Sequence, residues 1–332
     1  MPKHINKSNE KAVIVFGGAG YIGSHTCKEL KKSGYNPIAY DDLSNGFEYL
    51  VKWGPLEKGD IHDIEKVKEV IKKYQPIAAI HFAASMSVEE STKNPYKYYY
   101  NNTYGTLTLL KAMEELGLKN IIFSSTAAVY GEPKTKTIKE DQPKNPVNPY
   151  GNSKLMVEQI LKDFDNFNGI KHIALRYFNA AGADIDAETG CDQVSTTNLI
   201  PVIMNVISGK QKKLKIFGTD YKTKDGTCIR DYIHVTDLAK AHILALEYLL
   251  KSQKSDVFNL GTGRGSSVKE VVDSVRRVLK YDLPVEYANR RAGDPPVLVA
   301  NSDKAKKILN WTPIYSDMDN IILTAYNWKI KS

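Results

Sequence analysis

The chain has little cysteine: three in 332 residues, Cys27, Cys191 and Cys228, odd in number and scattered. That excludes a disulfide framework and offers no metal-ligand spacing, so no metal is expected and a reduced, cytoplasmic setting is. No run of 18 apolar residues occurs, so a membrane partner is not expected. Residues 1–11 are polar and hold no apolar signal region, which argues against secretion. Arginine is missing from the whole first half. All seven (Arg176, Arg230, Arg264, Arg276, Arg277, Arg290 and Arg291) lie further on. The net charge of +8 therefore comes mainly from lysines spread along helix surfaces. A nucleic-acid partner is not expected; a mildly positive field that attracts a small anion is.

What is present is an alternation of short apolar runs and helical stretches. Residues 11–16 read as a buried strand, followed by Gly17-Gly18-Ala19-Gly20-Tyr21-Ile22-Gly23 and a helix to about Lys32. Gly17, Gly20 and Gly23 permit a tight turn, close approach of backbone to a pyrophosphate, and close helix–strand packing. The next strand, 37–40, ends at Asp41-Asp42. A carboxylate at Asp41 suits the adenosine ribose hydroxyls and repels a 2′-phosphate, so NAD is expected rather than NADP. A third strand ends at Gly59-Asp60-Ile61, and residues 77–84 read as a fourth, buried on both faces. His81 within it is expected to be a packed core histidine. A long helix spans 94–116, with tyrosines at 96, 98, 99 and 100 for packing or for a partner subunit, and with Asn101 and Asn102 at mid-helix. Residues 120–126 form a fifth strand that ends in hydroxyls, 132–149 a loop with four prolines, and 172–179 a sixth strand. This is the alternation of a doubly wound, Rossmann-like parallel α/β sheet. Beyond Asn179 the pattern loosens. A smaller mixed α/β portion, 180–332, is expected to bind substrate, with some segments interleaved into the first unit, 1–179. Gly261-x-Gly263-x-Gly265 is expected to be a turn rather than a second phosphate loop, because no acidic-ended strand follows it.

The chemistry centres on Tyr150-Gly151-Asn152-Ser153-Lys154. Pro149 biases Asn148 away from the helical region, so a helix starts near Tyr150, and Tyr150 and Lys154 then share one face. An ammonium one turn from a phenol favours the phenolate and lowers its pKa. Thr126, at the end of the fifth strand, can donate to a substrate oxygen while Tyr150 exchanges its proton.

From about Ala12 to Trp328 the chain resembles the extended short-chain dehydrogenase/reductases, and within them the UDP-glucose (UDP-galactose) 4-epimerases. The motifs are GGAGYIGSHT (17–26), DDLSNG (41–46), GDI (59–61), HFAA (81–84), SSTAAVYG (124–131), NPYGNSKLMVEQIL (148–161), RYFNAAGA (176–183), DGTCIRDYIHVTDLA (225–239) and RRAGDPP (290–296). The resemblance implies Tyr150 as catalytic acid/base, Lys154 as its helper and partner of the nicotinamide ribose, and Thr126 beside them. It implies NAD contacts at Gly17, Gly20, Tyr21, Ile22, Gly23, Asp41, Asn45, Asp60, Ile61, Phe82, Ala83, Ala84, Asn102, Ser124, Lys154 and Tyr177. Phe178, Asn179, Asn198, Leu199, Phe217, Arg230, Arg291, Asp294 and Leu298 join Thr126 and Tyr150 in the implied UDP-sugar pocket. Met86 stands where many members carry a lysine. Leu298 stands where some have tyrosine and others a small residue, and the 225–233 and 290–296 stretches also resemble UDP-pentose epimerases. The expected reaction is reversible epimerisation at C4 of a UDP-hexose through a 4-keto sugar, in a homodimer. The alternatives are a UDP-GlcNAc/GalNAc or UDP-pentose epimerase, another nucleotide-sugar-modifying reaction, or a non-enzymatic NAD- or UDP-sugar-binding protein. Ala127-Ala128 after Thr126 argues against dehydration, which usually pairs the threonine with acidic neighbours.

Overall fold

Strand β1 (Lys11–Phe16) divides its side chains between two cores: Val13 and Val15 enter one, Ile14 and Phe16 the other. A strand buried on both faces needs helices on both sides, and the rest of the first half supplies them. The computed structural model describes residues 11–133, 135–192, 197–291 and 295–331. After β1 come α1 (Tyr21–Lys32), β2 (Tyr35–Asp41), β3 (Leu56–Lys58), α2 (Ile64–Tyr74), β4 (Ala78–His81), α3 (Val88–Lys93) and α4 (Pro95–Tyr98). A π-helical turn (Tyr99–Tyr104), α5 (Gly105–Leu116), β5 (Asn120–Thr126), α6 (Pro149–Asn168), β6 (Lys171–Tyr177), β7 (Asn179–Ala181), α7 (Leu199–Ile207) and β8 (Leu214–Phe217) follow. The remainder comprises β9 (Ile229–Arg230), β10 (Tyr232–His234), α8 (Val235–Ser252), β11 (Asp256–Leu260), β12 (Ser266–Ser267), α9 (Val268–Leu279), β13 (Val285–Ala288), β14 (Val297–Leu298), α10 (Asp303–Leu309) and α11 (Met318–Lys331).

Seven strands form one parallel sheet in the order β3-β2-β1-β4-β5-β6-β11. The order reverses between β1 and β4, and the carboxyl edge at such a reversal is where doubly wound sheets bind ligands. Helices α1, α8 and α10 cover one face, with Leu30, Leu246 and Leu309 among the buried residues. Helices α2, α5 and α6 cover the other, with Val70, Leu109 and Val157. A third core lies in the C-terminal half, where α7, α9 and α11 pack around Ile203, Val271 and Ile322. Strand β11 and helix α8 come from beyond residue 179 yet belong to the layers of the main sheet.

Four expectations need correction. The strand expected over 77–84 covers only Ala78–His81, and Phe82–Ala84 already belong to the loop at the edge. The third strand stops at Lys58, short of Gly59-Asp60-Ile61, which turn into α2 instead. Residues 94–116 are not one α-helix: the π-helical turn at 99–104 inserts where Asn101 and Asn102 stand. The run 172–179 is split, because β6 ends at Tyr177 and Asn179 begins β7, which leaves the main sheet to pair with β10. An apolar run carries no mark of where its hydrogen-bond partner changes.

Gly261-x-Gly263-x-Gly265 is a turn, as expected, and its amides do hold an anion: the protein's own. The Asp231 carboxylate is fully buried. It accepts hydrogen bonds from Thr262 N (2.8 Å), Thr262 Oγ1 (2.7 Å), Gly263 N (3.1 Å) and Ala300 N (3.1 Å). Gly263 sits at φ +74°, and a Cβ on Gly261 would lie 2.5 Å from Asp231 Oδ2. Asp231→Ala leaves three backbone amides without their partner, of which Ala300 N is buried, and should cost roughly 2 kcal/mol of stability. Urea unfolding of the purified variant measures this.

Candidate active site

The site forms along the carboxyl edge of β1, β4, β5 and β6. Gly17 leaves β1 at φ +82°, and a Cβ there would stand 2.8 Å from Ala83 N. A Cβ on Gly23 would stand 2.0 Å from Gly17 O, so only glycine lets α1 approach the end of β1 this closely. Gly20 caps α1 without a side-chain hydrogen bond, and no acid occupies the first turn. The helix therefore presents unscreened amides and positive dipole at the edge, which suits a pyrophosphate. Tyr21 opens the helix and donates its hydroxyl to Gly182 O at 2.6 Å, while Ile22 is half-buried in the core.

Asp41, at the end of β2, is buried, which raises its pKa. Its two oxygens accept from Ala19 N and Leu43 N, each at 2.9 Å, so it braces the glycine loop as well as facing the edge. A carboxylate accepts more than two hydrogen bonds, and room for ribose hydroxyls remains in its lone pairs. Asn45 is exposed in the following turn. Asp60 Oδ1 accepts from His62 N at 2.9 Å and Nδ1 at 2.5 Å. Ile61 is buried behind it. Phe82, Ala83 and Ala84 continue from β4 along the edge, half-buried, with the Phe82 ring 4.7 Å from that of His242. His81 is fully packed; burial pushes its imidazole down to about 3, and Nε2 meets Thr106 Oγ1 at 2.9 Å. The donor set and the cradle fit a dinucleotide without a 2′-phosphate.

Helix α6 carries the central pair. Pro149 occupies its first turn, and Asn148 caps it by accepting from Gly151 N at 2.9 Å. Lys154 is buried. Its ammonium donates to Ser124 O at 2.9 Å, and its pKa is lowered to about 7 by burial. Tyr150 shares a side-chain hydrogen bond with Thr126, which lowers its pKa, but burial raises it by more. This amends the expectation that Lys154 brings the phenol down: among the protein's own groups Thr126 does so, and it is outweighed. Thr126 Oγ1 also accepts from Ala128 N at 3.2 Å. The Ser124 hydroxyl is hydrogen-bonded to the Tyr177 hydroxyl, whose pKa is raised by burial and by nearby Tyr150.

Asn102 was expected to touch the cofactor. It is buried and bridges protein groups: Oδ1 accepts from Ser85 N at 2.8 Å, and Nδ2 donates to Ser85 O at 3.1 Å and Ser153 Oγ at 3.0 Å. Ser153 Oγ in turn donates to Tyr150 O at 2.8 Å. Both amide protons are used, so Asn102 ties the loop after β4 to the first turn of α6. The π-helical turn puts it there.

Across the edge, Phe178, Leu298 and Leu155 pack against the buried cluster of Val129, Tyr130 and Ile138, and Leu298 lies beside Arg230 in the β9–β14 pair. Asn179 N donates to Asp231 O at 3.0 Å. Asn198, exposed, caps α7, and Leu199 begins it. Arg291 lies 4.0 Å over the Phe217 ring. The two adjacent arginines divide: Arg290 Nε donates to Asp220 at 2.6 Å and stacks on Tyr221, whereas Arg291 stays over Phe217. Asp294 lies outside the described residues.

Two charge clusters around buried basic residues escaped the sequence reading. Lys28 on α1 is paired with Asp184 (2.6 Å), Asp186 (3.0 Å) and Glu188 (2.6 Å), so this acidic triad already holds a cation. Glu158 on α6 is paired with Arg176 on β6. Their only signal is a charge inside an apolar run, as at Arg176, or at helical spacing from Tyr150, as at Glu158.

Fold and edge define a class: a doubly wound dinucleotide-binding protein with a half-buried tyrosine and a buried lysine one helical turn apart at its ligand edge. The chain belongs to the NAD-dependent epimerase/dehydratase family, which matches residues 13–261. It is 48% identical to the UDP-glucose 4-epimerase of Rhizobium leguminosarum bv. trifolii, over 97% of this chain and 98% of that protein. The solved UDP-glucose 4-epimerase of Brucella ovis in complex with NAD is 48% identical with a TM-score of 0.93, covering 96% of this chain and 98% of that one. The UDP-Glc/GlcNAc 4-epimerase of Campylobacter jejuni is 43% identical with a TM-score of 0.85, covering 97% and 100%.

Gly23→Ala forces α1 away from β1 and should deprive the purified protein of bound NAD. Absorbance at 260 nm against 280 nm, and nucleotide released on denaturation, measure the loss.

Proposed function

We propose that the chain interconverts UDP-glucose and UDP-galactose by NAD-dependent epimerisation at C4. The observation that carries this reading is the juxtaposition of Tyr150, Thr126 and Lys154 at the same edge as the glycine cradle and Asp41. When bound in that cradle, NAD supplies a hydride acceptor for C4 and a positive charge that favours the Tyr150 phenolate. Tyr150 takes the proton of the sugar 4-hydroxyl and later returns it, and Thr126 holds the same oxygen by hydrogen bond. Lys154, anchored on Ser124 O, holds the ribose end of the cofactor and adds positive charge when protonated. Arg230 and Arg291 bind the diphosphate, with Asn179, Asn198, Leu199 and Phe217 around the uridine. Anchoring by UDP leaves the sugar weakly held, so the 4-keto form can turn and present its other face. Asp41 and Asp60 take the adenosine end. In this reading residues 1–179 bind NAD and 180–332 bind the UDP-sugar, with α8 and β11 interleaved into the first unit.

Leu298 supports a second reading of the substrate. Half-buried against the cluster of Val129, Tyr130 and Ile138, it leaves more room than a tyrosine, so an N-acetylated sugar is a candidate beside the hexose. Incubation with UDP-glucose, UDP-GlcNAc and UDP-xylose, with products resolved by NMR, tests both. Conversion of UDP-glucose to UDP-galactose is expected; no epimerisation of any of the three sinks the proposal. Tyr150→Phe should lower kcat by about 10²–10⁴-fold with the melting temperature kept. Retention of most activity would remove Tyr150 from its role.

A homodimer belongs to the same proposal. Tyr96, Tyr100, Tyr104 and Leu107 stand exposed along α4, the π-helical turn and α5, with Tyr96 75% accessible. The three tyrosine rings stack in a row that includes His62, 4.5 Å from Tyr100. Such a contiguous apolar face supports burial against a second copy. Light scattering should give twice the 37.2 kDa of the chain, and a monomer would count against it. We place the reaction in the cytoplasm, which the odd, scattered cysteines support. No described helix is long and apolar enough to cross a membrane.

A further inference from the structure

Tyr150 and Lys154 share their helix face with a third residue. Glu158 lies one more turn along α6 and is buried. Its Oε1 accepts from Ser125 Oγ at 2.5 Å and from Arg176 Nε at 2.8 Å, and its Oε2 accepts from Arg176 Nη2 at 2.5 Å. Ser125 and Arg176 face each other in the β5–β6 ladder. The next rung of that ladder is Thr126 opposite Tyr177. Glu158 thus bridges the rung directly beneath the one that carries two of the proposed site residues.

The bridge is itself held. Arg176 Nη1 donates to the Tyr130 hydroxyl at 2.7 Å and to Glu140 O at 3.1 Å. Tyr130 donates to Asn259 Oδ1 at 2.7 Å, and Asn259 Nδ2 donates to Ile138 O at 2.9 Å. All five side chains (Glu158, Arg176, Ser125, Tyr130 and Asn259) are at least nine-tenths buried. The network joins α6, β5, β6, β11 and the 132–149 loop. A buried bidentate pair is no stronger for the fold than well-packed apolar residues. Its directional bonds, however, fix one helix on two strands at one depth and one rotation, which apolar packing does far less sharply.

We propose that Glu158 is a positioning residue: through Ser125 and Arg176 it sets the height of α6 on the sheet, and so the distance from Tyr150 to Thr126. The inference rests on the epimerase reading. It assigns the ion pair to catalytic geometry rather than to stability alone.

The test compares wild type, Glu158→Gln, Ser125→Ala and the double variant Glu158→Gln/Arg176→Met. Melting temperature, bound NAD, and kcat and KM for UDP-glucose are measured for each. Glu158→Gln keeps the side-chain length but leaves the guanidinium uncompensated. Its kcat per bound NAD should fall about 10- to 100-fold, with KM within a factor of about two, because UDP is held by other elements. The double variant removes the stranded charge and should recover the melting temperature but not kcat. Ser125→Ala removes one arm, keeps the ion pair, and should lower kcat several-fold with the melting temperature nearly unchanged; it decides the matter if Glu158→Gln does not fold. Recovery of kcat together with stability in the double variant overturns the proposal. So does a kcat per bound NAD in Ser125→Ala equal to that of wild type. A wild type that turns over no UDP-sugar overturns the epimerase reading and this inference with it, whereas active wild type with equally active variants overturns the positioning role alone.

Discussion

The burial of one ammonium organises the catalytic half of the molecule. Lys154 has almost no contact with solvent, and its hydrogen bond to Ser124 O binds helix α6 to the end of strand β5. A buried cation without such a partner costs several kcal/mol, so the helix cannot slide along the sheet without exposing or orphaning it. The start of the helix is set independently by Pro149 and the Asn148 cap. With both ends of the first turn constrained, Tyr150 has one place to stand, beside Thr126. The same burial opposes charge on both members of the pair, lifting the phenol and lowering the amine. The site is therefore poised by desolvation, and the charge of a ligand can tip it.

Two glycine-rich turns show how context decides the use of one pattern. Gly17–Gly23 follows a central strand and opens a 12-residue helix at the switch point of the sheet. Its amides and dipole face the ligand edge. Gly261–Gly265 also follows a strand, β11, but that strand is at the border of the sheet, and its turn folds around the carboxylate of Asp231. Both loops hold an anion on backbone amides. One leaves the place for a diffusible group, and the other fills it from within the chain.

Much of this was legible beforehand because it depends on local order along the chain. Strand, glycine loop, helix and acidic strand end come in sequence, and a proline and an asparagine set the start of α6. The seven-stranded parallel sheet followed from the alternation. What was not legible involves distance. Asn102 reads as a misplaced polar residue in a helix; its partners, Ser85 and Ser153, are 17 residues before it and 51 after it. Arg290 and Arg291 read as a pair, and only folding separates them, one to Asp220 and one to Phe217.

Sequence alone determined the kind of site: the residue types, their spacing on α6, and the preference for a dinucleotide without a 2′-phosphate. Those properties reside in covalent order and in the geometry of single elements. Tertiary structure decided which charges are buried and with whom. Glu158 with Arg176, Lys28 with three carboxylates, and Asp231 with its turn are each pairings across elements far apart in the chain. Removing charge from water is tolerated only where a partner has been brought to meet it, and no local pattern records that meeting.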